Sequence, residues 1–144
     1  MQSFPHHYQV SARAGAQGEV TLESPGLAPL ASAPPSEFGG PGDRWSPETL
    51  LAGAVADCFV LSLRAVAQAS SLPWSTVSCR AEGQLDRVER TTRFTGFVLH
   101  VELVLPADGD LAKAERVLEK AKTACLISNS LVCPVTLEKS VRLA

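Results

Sequence analysis

Apolar residues run almost without interruption from Ser46 to about Ala69. From Leu50 onward, the clearly polar positions are Asp57, Arg64 and Gln68. Its beginning carries a helix start signal, because Ser46 can accept a backbone N–H as the N-cap and Pro47 fits the first helical position, where its missing N–H is not needed. A helix that is apolar around nearly its whole circumference is typical of a protein core. We therefore predict a buried central helix.

Shorter segments before this helix alternate between apolar and polar residues, as half-buried strands do. His7 to Arg13 and Glu19 to Glu23 are predicted to pair as a hairpin across a glycine-containing turn. The segment from 24 to 45 is rich in proline and glycine and is predicted to be irregular. Loops of this length inside a compact domain are usually functional or disordered. We expect Phe38 and Trp45 to anchor it, with a solvent-exposed linker as the alternative.

Two long alternating segments after the central helix predict a second hairpin, formed by Thr76 to Val88 and Thr92 to Leu105. The period shifts near Gly96, which predicts a β-bulge. Apolar residues at helical spacing follow from Asp110 to Thr123, and Val132 to Leu143 alternates as a closing strand. The predicted order is β-β-loop-α-β-β-α-β, an α+β chain.

Composition and charge limit the classes of protein to which the chain can belong. At 144 residues and 45% hydrophobic, it is long enough to bury a core and is predicted to be a single domain over residues 1–144. Thirteen basic and fifteen acidic residues without a basic block predict no binding to nucleic acid or to an anionic membrane. We see no signal peptide, and Asp57 and Arg64 interrupt the apolar run, so no membrane span is predicted. We expect a cytosolic protein.

The apolar helix also predicts an oligomer. One sheet from one subunit can cover only one side of the helix, and the other side would leave in water a patch larger than monomers normally expose. We therefore predict an obligate homodimer, in which a second copy covers the remaining face.

The chain contains four cysteines: Cys58, Cys79, Cys125 and Cys133. In a cytosolic protein with an adequate core they indicate reduced or redox-active thiols rather than structural disulfides. Cys58 lies inside the central helix, where a cysteine is more often a small buried apolar residue than a nucleophile. Cys125 follows the second helix and can provide the second thiol of a two-cysteine redox cycle. Cys79 and Cys133 fall in predicted strands and are expected to be packed side chains.

Other kinds of site find little support in the sequence. The histidines, His6, His7 and His100, do not form a ligand-spaced cluster with any cysteine, so no metal site is predicted. The chain has no glycine-rich phosphate loop between a strand and a helix, and no arrangement typical of a serine hydrolase. We expect no cofactor.

Three motifs together resemble the OsmC/Ohr family of thiol-dependent hydroperoxide reductases. Ser46-Pro47-Glu48 is followed, ten residues after Glu48, by Cys58, and Cys125-Leu126-Ile127-Ser128-Asn129 lies near the C-terminus. Gly39-Gly40-Pro41-Gly42-Asp43 precedes the central helix. The resemblance covers most of the chain and implies an OsmC-like fold, in which antiparallel sheets surround a central buried helix and two subunits intertwine as a homodimer.

The resemblance also implies a reaction. The Cys58 thiolate would attack the O–O bond of an organic hydroperoxide, release an alcohol and become a sulfenic acid. Hydrogen peroxide would be a poorer substrate. Cys125 would then form a disulfide with Cys58, which an external dithiol would reopen. The alternative is a non-catalytic OsmC-like dimer whose apolar pocket binds a small molecule.

The resemblance assigns Glu48 the task of orienting an arginine that holds the thiol as thiolate. Ten residues of helix place Glu48 ~15 Å along the axis from Cys58, so a shared site would include the other subunit. Glu48 can also be read as a first-turn acid stabilised by the helix dipole. In the hydroperoxide reductases the arginine lies in the first hairpin turn, where this chain has Gly15-Ala16-Gln17-Gly18. Arg44 is our candidate replacement, followed by Arg13, although Arg44 can also be a solvated loop charge.

The second motif departs from the family as well. Many members have proline directly after the resolving cysteine, whereas Leu126 follows Cys125 here. Cys133-Pro134 is a competing Cys-Pro pair. We favour Cys125 as the resolving cysteine because Ser128-Asn129 follows it at the matching positions.

Overall fold

The computed structural model describes residues 1–144, which fall into two compact units, Met1–Leu50 and Leu51–Ala144. The second unit contains helices as well as strands, and the first unit contains three strands. The predicted α+β class is therefore confirmed. In chain order the elements are β1 (Ser11–Arg13), β2 (Val20–Glu23), β3 (Leu30–Ser32), a 3-10 turn (Ser36–Phe38), α1 (Pro47–Ala69), β4 (Thr76–Val88), β5 (Thr91–Leu105), α2 (Leu111–Ala124), α3 (Leu126–Asn129) and β6 (Val135–Leu143).

The first unit contains a three-stranded antiparallel sheet in the order β1-β2-β3. The predicted hairpin is confirmed, with a shorter first strand. The third strand, β3, lies in the proline- and glycine-rich segment that was predicted to be irregular. Phe38 and Trp45 are 59% and 50% exposed, so within this chain their side chains do not anchor that segment. Backbone contacts hold it instead, including a hydrogen bond from the Ala33 N–H to the Trp45 carbonyl.

Ser46 caps α1 as the sequence predicts. Its hydroxyl accepts the backbone N–H of Thr49 at 3.1 Å, and its own N–H donates to the Thr49 hydroxyl at 2.8 Å. The two bonds are reciprocal, in the manner of a capping box, and satisfy N–H groups that the first helical turn leaves unpaired. Ser46 is almost completely buried.

The second unit contains a three-stranded sheet in the order β4-β5-β6. β4 and β5 form the long antiparallel hairpin that was predicted, and the predicted bulge is confirmed. Gln84 pairs with Gly96 and Leu85 pairs with Phe94, which leaves Thr95 as the extra residue on β5.

The sheets are not wholly antiparallel as expected, because β6 runs parallel to β5. The reason is the connection between the two strands. The chain returns through α2 and α3 before β6 begins, and a helical crossover of this kind brings a strand back in the direction of its predecessor. α3 itself was not predicted, and β6 begins at Val135, after Cys133.

The core of the second unit is formed by α1, the sheet and α2. On α1 the buried positions recur every four residues: Val55, Phe59, Leu63 and Ala67. Its other faces are partly or largely exposed in the single chain, and Leu61 is 52% exposed. Its own chain therefore buries one face of α1, as the sequence predicts. α1 is also long and apolar enough to cross a membrane by length and composition, a test that core helices of soluble proteins and signal sequences pass as well.

Candidate functional site

Two cysteines from distant parts of the chain lie side by side in the second unit. Cys58 is on α1, one residue before the buried Phe59, and Cys125 occupies the junction between α2 and α3. Cys58 acts on the pKa of Cys125 through a side-chain hydrogen bond and through its charge, so the two thiols are neighbours. Both are free thiols. Cys125 is 0% exposed, whereas Cys58 is partly exposed and packs against the edge of the core.

The environment of Cys125 acts on its pKa in opposing directions. Burial raises the pKa above that of an ordinary thiol, because the thiolate is poorly solvated there. A hydrogen bond from Ser128 lowers it, and the neighbouring Cys58 raises it again. The net pKa of Cys125 is raised, so its thiol is predominantly protonated at neutral pH.

Ser128 is the polar partner of the buried thiol. Its hydroxyl donates to Cys125 Sγ at 3.3 Å. α3 holds Ser128 in place, because Asn129 donates from Nδ2 to the Thr123 carbonyl at 3.0 Å and the Asn129 N–H donates to the Cys125 carbonyl. From the sequence, Ser128 is recognisable only as a residue of the Cys125 motif, without a role of its own. The signal that could have found it is the spacing of three residues across one helical turn.

The other two cysteines pack in the same core. Cys79 is on β4 and is partly buried, and its pKa is raised to about 11 by burial and by the nearby charge of Cys125. Cys133 is buried in the segment before β6, rather than in a strand as expected. Both are packed side chains, as the sequence predicts.

Glu48 and Arg44, the charged residues predicted to support the thiol, lie in the first unit. The Oε2 atom of Glu48 is buried and has no hydrogen-bond partner. Arg44 is exposed and pairs with Glu19 at 3.0 Å and with Asp43 at 3.2 Å. These two carboxylates raise the pKa of Arg44 and neutralise its charge locally. Arg13, the second candidate, is exposed and pairs with Glu23 at 2.9 Å.

The chemistry available to the neighbouring thiols is reversible oxidation. Two adjacent thiols can form a disulfide by losing two electrons, and a sulfenic acid on one can condense with the other. Cys58 is the more exposed of the two residues, whereas Cys125 is buried beside it. The arrangement suits a first oxidation at Cys58 followed by condensation with Cys125.

A family model described as "OsmC-like protein" matches residues 40–139. The chain is 30% identical over 145 residues to the uncharacterized protein YmaD of Bacillus subtilis, covering 96% of each protein. It is 26% identical over 97 residues to peroxiredoxin OsmC of Escherichia coli, covering 67% of each. An organic hydroperoxide resistance protein OsmC from Legionella pneumophila has a similar structure, with a TM-score of 0.76 at 29% identity, covering 97% of this chain and 99% of the other. Together with the α+β fold, these similarities establish that the chain belongs to the OsmC-like protein family.

Proposed function

We propose that the protein is a thiol peroxidase that reduces organic hydroperoxides, with Cys58 as the nucleophile and Cys125 as the resolving cysteine. The observation that carries the proposal is the pair of neighbouring free thiols, one partly exposed and the other wholly buried. The names of the relatives support it, because a peroxiredoxin and an organic hydroperoxide resistance protein are among them. Hydrogen peroxide is the poorer substrate in this proposal.

The reaction begins at Cys58. Its thiolate attacks one oxygen of the O–O bond, the bond breaks, and the other oxygen leaves with the electron pair and takes a proton to become an alcohol. The sulfur becomes a sulfenic acid. Cys125 then attacks Cys58 Sγ, the S–O bond breaks, and the hydroxide leaves as water with the proton from the Cys125 thiol. The product is a disulfide between Cys58 and Cys125. An external dithiol then reduces this disulfide, and the dithiol is itself oxidised.

A homodimer is part of the proposal. Leu61 is an apolar side chain of α1 that is open in the single chain, on the face that also carries Asp57, Arg64 and Gln68, and a second copy of the chain is the occupant that the sequence predicts. The unpartnered Oε2 of Glu48 is a buried acceptor that would bind a guanidinium group. We assign that group to Arg44, with Arg13 as the second candidate, and place the protein in the cytosol.

A single-turnover experiment tests the assignment of the thiols. Reduced protein is mixed with one equivalent of cumene hydroperoxide, and each cysteine is mapped by mass spectrometry. The wild type is expected to form the Cys58–Cys125 disulfide. Cys125→Ser is expected to stop with one oxygen on Cys58, which dimedone traps, and Cys79→Ser is the matched control that reacts as the wild type does.

Cys58→Ser is expected to remain unoxidised under the same conditions. If Cys58 stays reduced in Cys125→Ser with excess hydroperoxide, the peroxidase proposal is wrong. A non-catalytic dimer that binds a small apolar molecule would then be the better reading.

A further inference from the structure

The two thiols differ in what stabilises them as anions. Cys125 is 0% exposed and receives a hydrogen bond from the Ser128 hydroxyl at 3.3 Å. Cys58 is partly exposed. In a disulfide between them, a reductant from solution meets the sulfur of Cys58 first, whereas the sulfur of Cys125 has a hydrogen-bond donor prepared for negative charge.

We propose that the reductant opens the disulfide by attacking the more exposed Cys58, and that Ser128 is a positioning residue that stabilises Cys125 as the leaving thiolate. The inference rests on the proposed function, since it concerns the recovery of the same thiol pair. It goes beyond the proposed function by naming the sulfur that is attacked and the residue that stabilises the sulfur that leaves.

The step is a thiol–disulfide exchange. A thiolate of the external dithiol attacks Cys58 Sγ and forms a mixed disulfide, while the bond between Cys58 and Cys125 breaks. The electron pair of that bond goes to Cys125 Sγ, which accepts the hydrogen bond from Ser128 and then takes a proton. The second thiol of the dithiol attacks the reductant's own sulfur, releases Cys58 as a thiolate and leaves as a cyclic disulfide. The protein gains two electrons, and the dithiol loses two.

Two properties, the accessibility of the attacked sulfur and the stability of the leaving thiolate, act on the direction and the rate of the exchange. Exchange is faster when the departing thiol has a lower pKa, and when the attacked sulfur is accessible. Burial raises the pKa of Cys125, which would make it a poor leaving group, and Ser128 opposes that effect. The hydroxyl therefore partly offsets the effect of the burial that hides this sulfur from the reductant. The same bond also favours the Cys125 thiolate when it attacks the sulfenic acid of Cys58.

The first test uses reduced protein and no hydroperoxide. In a Cys58→Ser background, the pH dependence of alkylation by iodoacetamide is read on the Cys125 peptide. Ser128→Ala is expected to move the midpoint to higher pH, and Ser128→Thr, which keeps the hydroxyl, is expected to restore it. Ser130→Ala is the matched control, because the Ser130 hydroxyl on the same short helix bonds to the Leu126 carbonyl instead.

The second test follows the reduction. The disulfide is formed with diamide, so the test does not depend on peroxidase activity, and it is then reduced with glutathione under conditions that trap the mixed disulfide. Glutathione is expected on Cys58 alone. Ser128→Ala is expected to slow reduction by about tenfold, the size of one hydrogen bond to a charged group, while Ser128→Thr and Ser130→Ala stay close to the wild-type rate.

Glutathione on Cys125, or a Ser128→Ala variant that is reduced at the wild-type rate with an unmoved alkylation midpoint, would overturn the inference. The two proposals fail separately. Protein that hydroperoxide does not oxidise, but whose diamide-formed disulfide still opens more slowly in Ser128→Ala, would contradict the peroxidase proposal and leave the role of Ser128 intact.

Discussion

The thiol of Cys58, in the middle of α1, lies beside the thiol of Cys125 at the junction of α2 and α3. The pairing joins two helices that a long hairpin separates in the chain, so it exists only when the core of the second unit is assembled. Oxidation of the pair would therefore cross-link distant parts of the fold, and its effect on stability can be measured without assuming a substrate.

The disulfide between Cys58 and Cys125 is expected to raise the free energy of unfolding by about 2–4 kcal/mol, because it closes a long loop and restricts the unfolded chain. Urea denaturation of diamide-oxidised and reduced protein measures the difference. Cys125→Ser treated with diamide is the control and is expected to unfold like the reduced wild type. An oxidised protein less stable than the reduced one would mean that the thiols meet in a strained geometry.

Arg44→Met is expected to lower the second-order rate of Cys58 oxidation by cumene hydroperoxide by about tenfold or more, since a nearby cation favours the reactive thiolate. Stopped-flow measurement at several hydroperoxide concentrations gives the rate. Arg80→Met is the matched control, because Arg80 is likewise an exposed arginine in an ion pair. If Arg13→Met lowers the rate of Cys58 oxidation and Arg44→Met leaves it at the wild-type value, the cation that favours the thiolate is Arg13.

Glu48→Gln is expected to slow the oxidation of Cys58, because it removes the charge of the carboxylate that we assign to orienting the arginine, whose Oε2 atom is buried and unpartnered. Glu37→Gln, an exposed acid in the same unit, is the control and is expected to react as the wild type does. If Glu48→Gln keeps the full oxidation rate and changes stability alone, Glu48 is a first-turn helix acid and nothing more.

Local patterns predicted the regular parts of the fold well. The cap at Ser46 and the bulge beside Gly96 both follow from a few adjacent residues. The direction of β6 and the existence of β3 do not, because strand pairing is decided by long-range contacts. The site shows the same division: Cys58 and Cys125 could be singled out from the sequence, but their contact depends on how the whole second unit folds.

The stability of the protein is expected to fall as the pH rises above about 8.5, the ordinary pKa of a thiol, because the pKa of Cys79 is higher in the folded protein than in the unfolded chain. Burial raises the pKa of Cys79 to about 11, so the folded state favours the neutral thiol. The contribution of Cys79 to the free energy of unfolding is fully present below the pKa that its thiol has in the unfolded chain, and it is lost as the pH rises through the folded pKa. Urea midpoints near neutrality and at about pH 10.5 are expected to differ less in Cys79→Val than in the wild type. Equal losses in both proteins would show that Cys79 does not contribute.

Gly83→Ala is expected to destabilise the second unit by about 1–3 kcal/mol through overpacking. A Cβ at Gly83 would lie 2.5 Å from Phe97 and 2.9 Å from Phe94, whose rings pack against each other with centroids 4.8 Å apart. Phe97 is buried in the core and has little room to move. Gly96→Ala is the matched control on β5, where the nearest atom would be the Pro134 carbonyl oxygen at 3.5 Å, an ordinary contact. In thermal unfolding, Gly83→Ala is expected to have a clearly lower midpoint temperature than Gly96→Ala.

Leu61→Glu is expected to disrupt the proposed homodimer, because a charge would have to be buried where the second copy covers Leu61. Leu61 is 52% exposed in the single chain and contributes little to its own core, so the variant retains the fold of the subunit. Light scattering after size-exclusion chromatography at micromolar concentration measures the mass. Leu111→Glu is the matched control, since Leu111 is an exposed leucine at the start of α2, where an acidic residue suits the helix dipole. The wild type and Leu111→Glu are expected to be dimers and Leu61→Glu a monomer. A dimeric Leu61→Glu would show that two copies do not meet through this face.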